Sequence, residues 1–499
     1  MPLTEHLAEN VTPTLQNKFT ADKSDSREIH EKDSHEIIDR LIDARHRSNA
    51  LFDLVRPDSL YERPIPERHR IIFYVGHLEA FDWNLLSETL GLRSGGPKTA
   101  RPEFDRLFAF GIDPVGGGLP TDQPSDWPSL DEVENYVAAV RNALDEALAN
   151  TNIDQAEGRD GFPLHTLLNV AIEHRLMHVE TLAYMLHQLP FDMKVRPADS
   201  PTVQAQTVRH DMASIPAGKV TLGLPRSGKT FGWDNEFEAD TVDVPSFEID
   251  RYKVTNRQYL EFMAADGYEN CAFWTDHDWN WKEAHGVSHP AFWTRKNDCW
   301  YWRTMFREIP FDEVPLSEIS ANEISEDISS RDAPSVLDWP VYVSQAEASA
   351  YARWIGKSLP AEAEWQRAAY GTTNYGTTTS DQRRYPWGSE APSAKLGNFD
   401  FQYWDPTPVT AFPDGQSSYG VHDLLGNGWE WTSTVFGPLP GFQPFPFYRG
   451  YSADFFDGKH FVMKGGSSRT AACMLRPSFR NWFQAHYQYV YAGFRCVRR

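Results

Sequence analysis

The segment 163–190 constrains the fold of this chain most strongly, because it is apolar on almost every side and has a proline at each end. Its sequence is PLHTLLNVAIEHRLMHVETLAYMLHQLP. A helix that is apolar all round is buried, so this segment predicts an inner helix of a helical bundle. His174 and His178 are four residues apart, which places both rings on one face of that helix, about 40° apart.

Two buried imidazoles need polar partners, and a bound metal ion is one way to supply them. A third ligand would come from another helix, and His77 in the apolar stretch YVGHLEAFDW is the candidate. Glu180 points to a different side of its helix, so we expect a supporting carboxylate there and not a ligand. Three neutral nitrogens suit Zn, Fe(II) or Cu. The alternative is that each histidine is a hydrogen-bonded core residue.

Three further segments carry apolar residues at helical spacing: 34–55, 70–91 and 129–150. The last of these begins with Ser129, followed three residues later by Glu132, which is the pattern of a capping box. Four long helices in about 160 residues predict a four-helix bundle over residues 31–195. Residues 1–30 are predicted to form a mobile tail.

The character of the sequence changes after the predicted linker at 194–207. Short β-type runs follow, with many Gly, Pro and Trp residues. Two further helices are predicted, at 255–267 and at 344–371, the second interrupted at Pro360. The pattern predicts an irregular α+β domain over residues 205–499. Residues 312–335 are acidic and rich in Ser, and we expect a surface insertion there.

The charge balance excludes several classes of partner. The chain has 499 residues and a formal net charge of −22, which argues against nucleic acid and against an anionic membrane surface. No apolar run approaches the roughly 18–20 residues that a membrane span needs. The four cysteines form no CxxC pair, which disfavours a disulfide framework or a thiolate zinc site. A cytoplasmic location is the default expectation, and the pattern carries no signal for an oligomeric state.

Both predicted domains resemble known families. The fragments GHLEAFDW, EHRLMHVET and QLP resemble the DinB-like iron-binding domain of the sulfoxide synthases of ergothioneine and ovothiol biosynthesis. The second domain resembles the formylglycine-generating-enzyme fold, a C-type-lectin-like α+β fold. The fragments that carry this likeness are IPAGKVTLG, YKVTNRQYLEF, WPVYVSQAEASAYARWIGKSLPAEAEWQRAAYG, GNGWEWTST and GFRCVRR. The resemblance covers about residues 35–499.

The resemblance implies an iron-dependent oxidative reaction. Fe(II) would be the cofactor, with His77, His174 and His178 as its ligands. In the family it uses O2 to join a cysteine-type thiol to the imidazole of histidine or of its trimethylated form, hercynine, and the product is a thioether sulfoxide. Three neutral imidazoles would leave the metal its full charge and open positions for the reactants.

The resemblance also implies roles for residues of the second domain. Tyr448, in FYRGYSADFF, matches the tyrosine that supplies a proton or a hydrogen atom, and Tyr451 would be a second pocket tyrosine. Asn481 and Trp482 would line the betaine or carboxylate side of the acceptor, where aromatic faces suit a quaternary ammonium. The alternative for both tyrosines is ordinary packing in an aromatic-rich loop.

Two departures from the family pattern bear on the thiol substrate. Members that use γ-glutamylcysteine have an acidic residue where this chain has Phe483, and a Gln where it has Met177. The resemblance is therefore closer to the members that take free cysteine. The stretch 100–113 resembles the loop whose arginines bind the thiol substrate's carboxylate, so Arg106, and after it Arg101, are candidates.

Several alternatives stay open at this stage. An ovothiol-type synthase would act on histidine and cysteine, and a γ-glutamylcysteine-using ergothioneine enzyme would differ only in its thiol. A formylglycine-generating enzyme would need two nearby cysteines, whereas Cys473 and Cys496 are 23 residues apart. A selenium-handling relative is a further variant. A non-catalytic binding module is the alternative from another class, and a failure to bind iron would favour it.

Overall fold

The computed structural model describes residues 25–92, 101–109, 119–197, 208–227, 230–311, 336–372 and 382–499, with side chains from residue 35 onward. The chain divides into a helical unit, Met1–Ala198, and a sheet-rich unit, Asp199–Arg499. Each unit is a compact body with its own interior. The predicted insertion at 312–335 and most of the predicted linker lie outside the described residues.

The helical unit contains four long helices and one short helix among its described residues. They are α1 (Asp25–Phe52), α2 (Ile71–Leu86), α3 (Pro102–Leu107), α4 (Leu130–Ala149) and α5 (Leu164–Gln188). Helix α1 begins at Asp25, inside the segment 1–30 for which the sequence predicts a tail. Residues 1–24 lie outside the described part of the chain.

Helix α5 is buried over most of its length, as its apolar sequence predicts. It packs against α1 and α2, and α2 also packs against α4. Helix α4 begins where the capping pattern places it, with the backbone N–H and the hydroxyl of Ser129 both donating to Glu132. The contact between α2 and α5 is the one that matters for the site, since it brings two histidine-bearing faces together. No helix in the described part of the chain is long and apolar enough to cross a membrane.

The second unit is built from short strands in several small sheets. The strands are β1 (Met212–Ile215), β2 (Gly218–Leu222), β3 (Asp240–Val244), β4 (Phe247–Asp250), β5 (Trp293–Lys296), β6 (Cys299–Arg303), β7 (Glu308–Pro310), β8 (Trp429–Val435), β9 (His460–Lys464), β10 (Asn481–Gln484), β11 (Ala492–Gly493) and β12 (Val497–Arg498). The helices are α6 (Asn256–Ala264), α7 (Asp276–His285), α8 (Gln345–Trp354) and α9 (Glu362–Tyr370). The strand orders are β1-β4-β12, β10-β9-β8-β11, β2-β3 and β5-β6-β7.

The four-stranded sheet positions the residues that were predicted to bind the acceptor. Strand β10 pairs antiparallel with β9, so that Asn481 lies opposite Met463 and Trp482 lies opposite Val462. Trp429 and Trp431 of the neighbouring strand β8 are fully buried. These two tryptophans therefore belong to the core of the unit and fix β8, the strand that pairs with β9, which in turn pairs with β10.

Candidate metal centre

Three imidazoles from two helices converge in the interior of the helical unit. The Nε2 atom of His178 lies 3.2 Å from Nε2 of His77 and 3.1 Å from Nε2 of His174. Among the residues that the structure describes, these three form a group whose ligand atoms all lie within 4.8 Å of one another. One ring comes from α2 and the other two come from consecutive turns of α5.

Burial keeps all three rings neutral. His77, His174 and His178 are 3 to 5% exposed. Loss of hydration is the largest effect on each ring, and it lowers the pKa of His77 to about 4. Burial and the neighbouring imidazoles also lower the pKa of His174 and of His178 well below the ordinary value. A neutral imidazole is the form that binds a metal ion, so the site needs no deprotonation step at neutral pH.

The backbone and the surrounding rings fix the orientation of the imidazoles. The Nδ1 atom of His77 lies 2.7 Å from the carbonyl oxygen of Phe108. A carbonyl only accepts, so Nδ1 carries the proton and the lone pair of Nε2 points toward the other histidines. Phe73 stacks on the ring of His77 with centroids 4.8 Å apart, and Phe81 stacks on the ring of His174 at 3.4 Å.

A close approach between α2 and the end of α3 puts that carbonyl in place. A Cβ atom added at Gly76 would lie 2.5 Å from the ring of Phe108. Only a residue without a side chain therefore lets Phe108 come this near to α2. Phe108 lies in the stretch 100–113, whose sequence pattern points only to its arginines, and no local signal marks its carbonyl as a partner of His77.

A buried network of charged groups lies on the same two helices. The guanidinium of Arg175, next to His174, donates to Glu79 at 2.9 Å and to Asp82 at 2.6 Å. Arg141 of α4 donates to the same oxygen of Glu79 at 2.7 and 3.0 Å. The side chains of Arg175, Glu79 and Asp82 are at most 1% exposed. These bonds fix how α2 lies against α5, and thereby where His77 meets the two histidines of α5.

The spacing of the nitrogens around His178 fits a transition-metal ion. Two nitrogens bound about 2.1 Å from one metal, at an angle of about 90–110°, lie about 3.0–3.4 Å apart. The two close contacts of His178, at 3.1 and 3.2 Å, fall in this range. Lone pairs facing each other at such a distance repel unless a proton or a cation lies between them. The donor set of three neutral nitrogens suits Zn, Fe(II) or Cu.

The other residues predicted for the helical unit have different surroundings. Glu180 is buried but does not belong to the group of converging ligands. Met177 is half-buried on α5, one residue before His178. Arg106 is exposed on α3. Arg101 forms ion pairs with two nearby carboxylates, those of Glu103 and Glu132.

The aromatic residues predicted for the second unit lie together in a cluster. The ring of Tyr451 stacks on Trp233 with centroids 4.0 Å apart and meets Trp482 edge-on at 5.4 Å. Tyr448 is half-buried, and its ring lies 5.6 Å from Tyr451 and 6.4 Å from Trp233. We call Trp233, Tyr448, Tyr451 and Trp482 the aromatic cluster.

The two residues that flank Trp482 on strand β10 have different surroundings. The side chain of Asn481 accepts a hydrogen bond from the backbone N–H of Trp482 at 2.8 Å. Successive residues of a strand point to opposite faces, so Phe483 points away from the side of Trp482. Phe483 stacks on Tyr487 with ring centroids 5.0 Å apart.

A buried turn that was not predicted from the sequence holds this cluster. Trp233, Asp234, Asn235 and Glu236 are all at most 1% exposed. The carboxylate of Glu236 accepts hydrogen bonds from Arg476 at 2.8 Å and from Ser478 at 2.6 Å. The available signal was the run WDNE, which follows a segment with three glycines. The loop and arginine partners of this run lie more than 200 residues away in sequence.

Two family models match the chain, one for each unit. The model described as the sulfatase-modifying factor enzyme 1-like domain matches residues 197–499. The model of the DinB superfamily matches residues 40–182. The chain thus joins a DinB-like helical domain to a sheet-rich domain of the formylglycine-generating-enzyme type.

Named relatives match most of the chain. The chain is 31% identical over 476 residues to the hercynine oxygenase of Mycolicibacterium thermoresistibile. The matched region covers 92% of this chain and 94% of that protein. It is 34% identical to the hercynine oxygenase of Mycolicibacterium smegmatis, over 81% of this chain and 86% of that protein. It is 30% identical to ergothioneine biosynthesis protein 1 of Neurospora crassa, over 88% of this chain and 55% of that protein.

This chain joins a DinB-like domain with three converging histidines to a formylglycine-generating-enzyme-like domain. Its likeness to hercynine oxygenases over most of its length places it among oxidative enzymes. The chain belongs to the ergothioneine sulfoxide synthase family.

Proposed function

We propose that this chain is a non-haem Fe(II)- and O2-dependent sulfoxide synthase that joins the sulfur of cysteine to the imidazole of hercynine. The observation that carries the proposal is the convergence of three neutral, buried imidazoles in a chain of this family. The relatives named hercynine oxygenase support hercynine as the acceptor.

The proposed reaction balances with O2 as the oxidant. The S–H bond of the thiol and one C–H bond of the imidazole break, and a C–S bond forms. One oxygen atom ends on sulfur as the sulfoxide, and the other leaves as water with the two hydrogens. The four electrons that reduce O2 come from the thiol and the imidazole, so no external reductant is needed.

His77, His174 and His178 would hold the iron, and bound Fe(II) would activate O2 and lower the pKa of the thiol. The chain's own residues keep the three imidazole rings neutral and orient their Nε2 atoms toward one another. The Phe108 carbonyl holds the proton of His77 on Nδ1, so that Nε2 is left to bind. Burial of the rings limits the access of water to the site.

The aromatic cluster is proposed to take part in acceptor binding and proton transfer. The ring faces of Trp482 and Tyr451 offer negative surfaces that suit the trimethylammonium group of hercynine. Asn481 precedes Trp482 on β10 and points to the opposite face of the strand. Its amide oxygen already accepts from the N–H of Trp482, so its amide N–H is proposed to donate to the carboxylate of the acceptor. Tyr448 is half-buried beside Tyr451, and we assign it the role of proton or hydrogen-atom donor.

Cysteine is proposed as the thiol because of Phe483. An acidic residue at this position would pair with the α-amino group of a γ-glutamyl moiety, whereas the ring of Phe483 stacks on Tyr487 and offers no charge. Met177 replaces an amide that would offer hydrogen bonds. Arg106 is proposed to bind the carboxylate of cysteine, since Arg101 already pairs with two carboxylates.

We also propose a specific fold for each of the two units. Four long helices support a four-helix bundle of the DinB type in the helical unit. The small antiparallel sheets with long irregular connections support a C-type-lectin-like fold in the second unit.

Anaerobic reconstitution with Fe(II), followed by addition of O2, tests the proposal. Cysteine is supplied with either hercynine or histidine, and the products are identified by mass spectrometry. We expect one iron per chain and a sulfoxide adduct with hercynine. An adduct mainly with histidine would reassign the chain to the ovothiol type, and an absence of iron binding would overturn the metal assignment.

The thiol assignment has its own matched pair of variants. Phe483→Asp restores the acid, and we expect it to raise turnover of γ-glutamylcysteine relative to cysteine. Phe483→Asn introduces a side chain of the same size as Asp but without the charge, so it should not raise the turnover of γ-glutamylcysteine. Preference for γ-glutamylcysteine in the unaltered enzyme would overturn the assignment of cysteine.

A further inference from the structure

Asp234 contacts both ends of the segment that carries Tyr448. Its Oδ1 atom accepts a hydrogen bond from the hydroxyl of Ser452 at 2.6 Å. Its Oδ2 atom accepts from the backbone N–H of Phe445 at 3.4 Å. A single carboxylate thus closes an eight-residue loop, and Tyr448 lies in the middle of that loop.

The residue before Asp234 makes a third contact with the same loop. The ring of Trp233 stacks on Tyr451 at 4.0 Å, with an interplanar angle of 25°. Within the loop, the N–H of Tyr448 donates to the carbonyl of Phe445 and the N–H of Tyr451 donates to the carbonyl of Tyr448. Tyr448 is therefore tied by its backbone to residues that are themselves held by Trp233 and Asp234.

The turn that carries Asp234 is itself held in place. Glu236 accepts a hydrogen bond from the backbone N–H of Trp233 at 2.8 Å, and its carboxylate also binds Arg476 and Ser478. Because all four residues of the turn are buried, it forms a fixed support for the loop.

We propose that Asp234 is a positioning residue that holds the segment 445–452 closed and so sets the place of Tyr448. This inference rests on the proposed function, which assigns Tyr448 its role in proton or hydrogen-atom transfer. Asp234 acts through its bonds to Ser452 and Phe445, and it makes no contact of its own with the reactants.

The ionisation of Asp234 supports this role. Burial raises the pKa of Asp234 to about 6, the bonds from Ser452 and Phe445 lower it, and the charge of Glu236 raises it. Keeping a buried carboxylate is costly unless hydrogen bonds compensate it. Two of the compensating bonds come from the loop that Asp234 closes. Closure of the loop and ionisation of the Asp234 carboxylate therefore depend on each other.

Ser452→Ala removes the shorter of the two bonds and leaves Asp234 in place. We expect kcat to fall about tenfold or more, because a misplacement of about 1 Å at a reacting group is enough for such a loss. The KM for cysteine, which contacts no residue of this loop in the proposal, should change less than about twofold. Thr432→Val is the matched control, since it removes a buried hydroxyl that donates to a backbone carbonyl in the same unit. It should leave kcat within about twofold.

Hydrogen exchange of the peptide covering 445–452 gives a readout that does not depend on turnover. We expect faster exchange of this peptide in Ser452→Ala and no change in Thr432→Val. Ser452→Cys, with a weaker donor, should fall between Ser452→Ala and the unaltered enzyme. Unchanged exchange in Ser452→Ala would overturn the proposal.

The Tyr448→Phe background separates this inference from the proposed function. If Asp234 and Ser452 act through Tyr448, Ser452→Ala should cause no further loss of kcat once the hydroxyl of Tyr448 is gone. A full additional loss in that background would overturn the positioning role. If Tyr448→Phe alone leaves kcat unchanged, the assigned role of Tyr448 fails first.

Discussion

The Nε2 atom of His174 lies 3.1 Å from the Nε2 atom of His178, and the two rings sit on consecutive turns of one helix. At that separation the two nitrogens share either a cation or the N–H proton of one neutral ring. Burial strongly lowers the pKa of both rings, so the pair does not hold an additional proton at neutral pH. Both rings are therefore in the neutral form that a metal ion requires of its ligands.

Replacement of His178 by Ala should abolish tight metal binding. His178 makes the close contacts to both other rings, and its loss leaves only two nitrogens. We expect the Fe(II) content after anaerobic reconstitution to fall from about one to below about 0.1 per chain. His165→Ala, at an exposed position on the same helix and outside the group of converging ligands, is the control and should keep its iron. Full iron content in His178→Ala would contradict the assignment of the ligands.

Metal affinity should depend only weakly on pH between 8 and 6. The pKa of His77 is held at about 4 by burial, so protons do not compete with the metal at this ring in that range. An exposed histidine with a pKa near 6.5 would lose about fourfold in affinity between pH 8 and pH 6. Three such rings would lose roughly 70-fold. We expect less than about a twofold change in anaerobic Fe(II) titrations, and a loss near the larger value would show that the rings titrate normally.

An added methyl group at Gly76, which is not itself a ligand, should lower the affinity of the site for Fe(II). Gly76→Ala would push against the ring of Phe108, whose carbonyl holds the proton of His77. Loss of such a support typically costs about 10–100-fold in metal affinity. Gly437→Ala is a matched control, since its added Cβ meets nothing within 4 Å. Equal Fe(II) affinity in the two variants would mean that the Phe108 carbonyl does not orient His77.

Loss of Arg175 should destabilise the helical unit far more than loss of a surface arginine. Arg175→Met leaves the buried carboxylate of Asp82 without the cation that now binds it. Breaking a buried pair on one side costs about 3–5 kcal/mol. Arg47→Met removes an exposed pair with Asp43 and should cost less than about 1 kcal/mol.

Native-state hydrogen exchange of the α5 amides measures this difference within the full chain. The opening free energy of α5 should fall in Arg175→Met and stay nearly constant in Arg47→Met. Similar losses in both variants would show that the buried network contributes no more than a surface pair.

The helices and the histidine pair could be predicted because their signals are local. Spacing of four residues puts His174 and His178 on one face whatever the rest of the fold does. The pattern of Ser129 and Glu132, which spans only four residues of sequence, predicts where a helix begins. His77 followed from its apolar surroundings, since an imidazole in a buried helix needs a partner.

Contacts between distant segments could not be predicted in this way. The Phe108 carbonyl reaches His77 only because Gly76 admits a ring at the surface of α2. The bond from Ser452 to Asp234 joins residues 218 positions apart. No periodicity in either segment encodes such a pairing, so these supports emerge only from the three-dimensional structure.

The two groups of candidate site residues become available at different times during synthesis. His77, His174 and His178 are all present once 178 residues have been made, whereas the aromatic cluster is complete only at Trp482. The 304 residues between positions 178 and 482 take about 15–60 s at about 5–20 residues per second. The histidine centre can therefore close and meet its metal while most of the second unit is still being translated, and the residues proposed to hold the acceptor are assembled last.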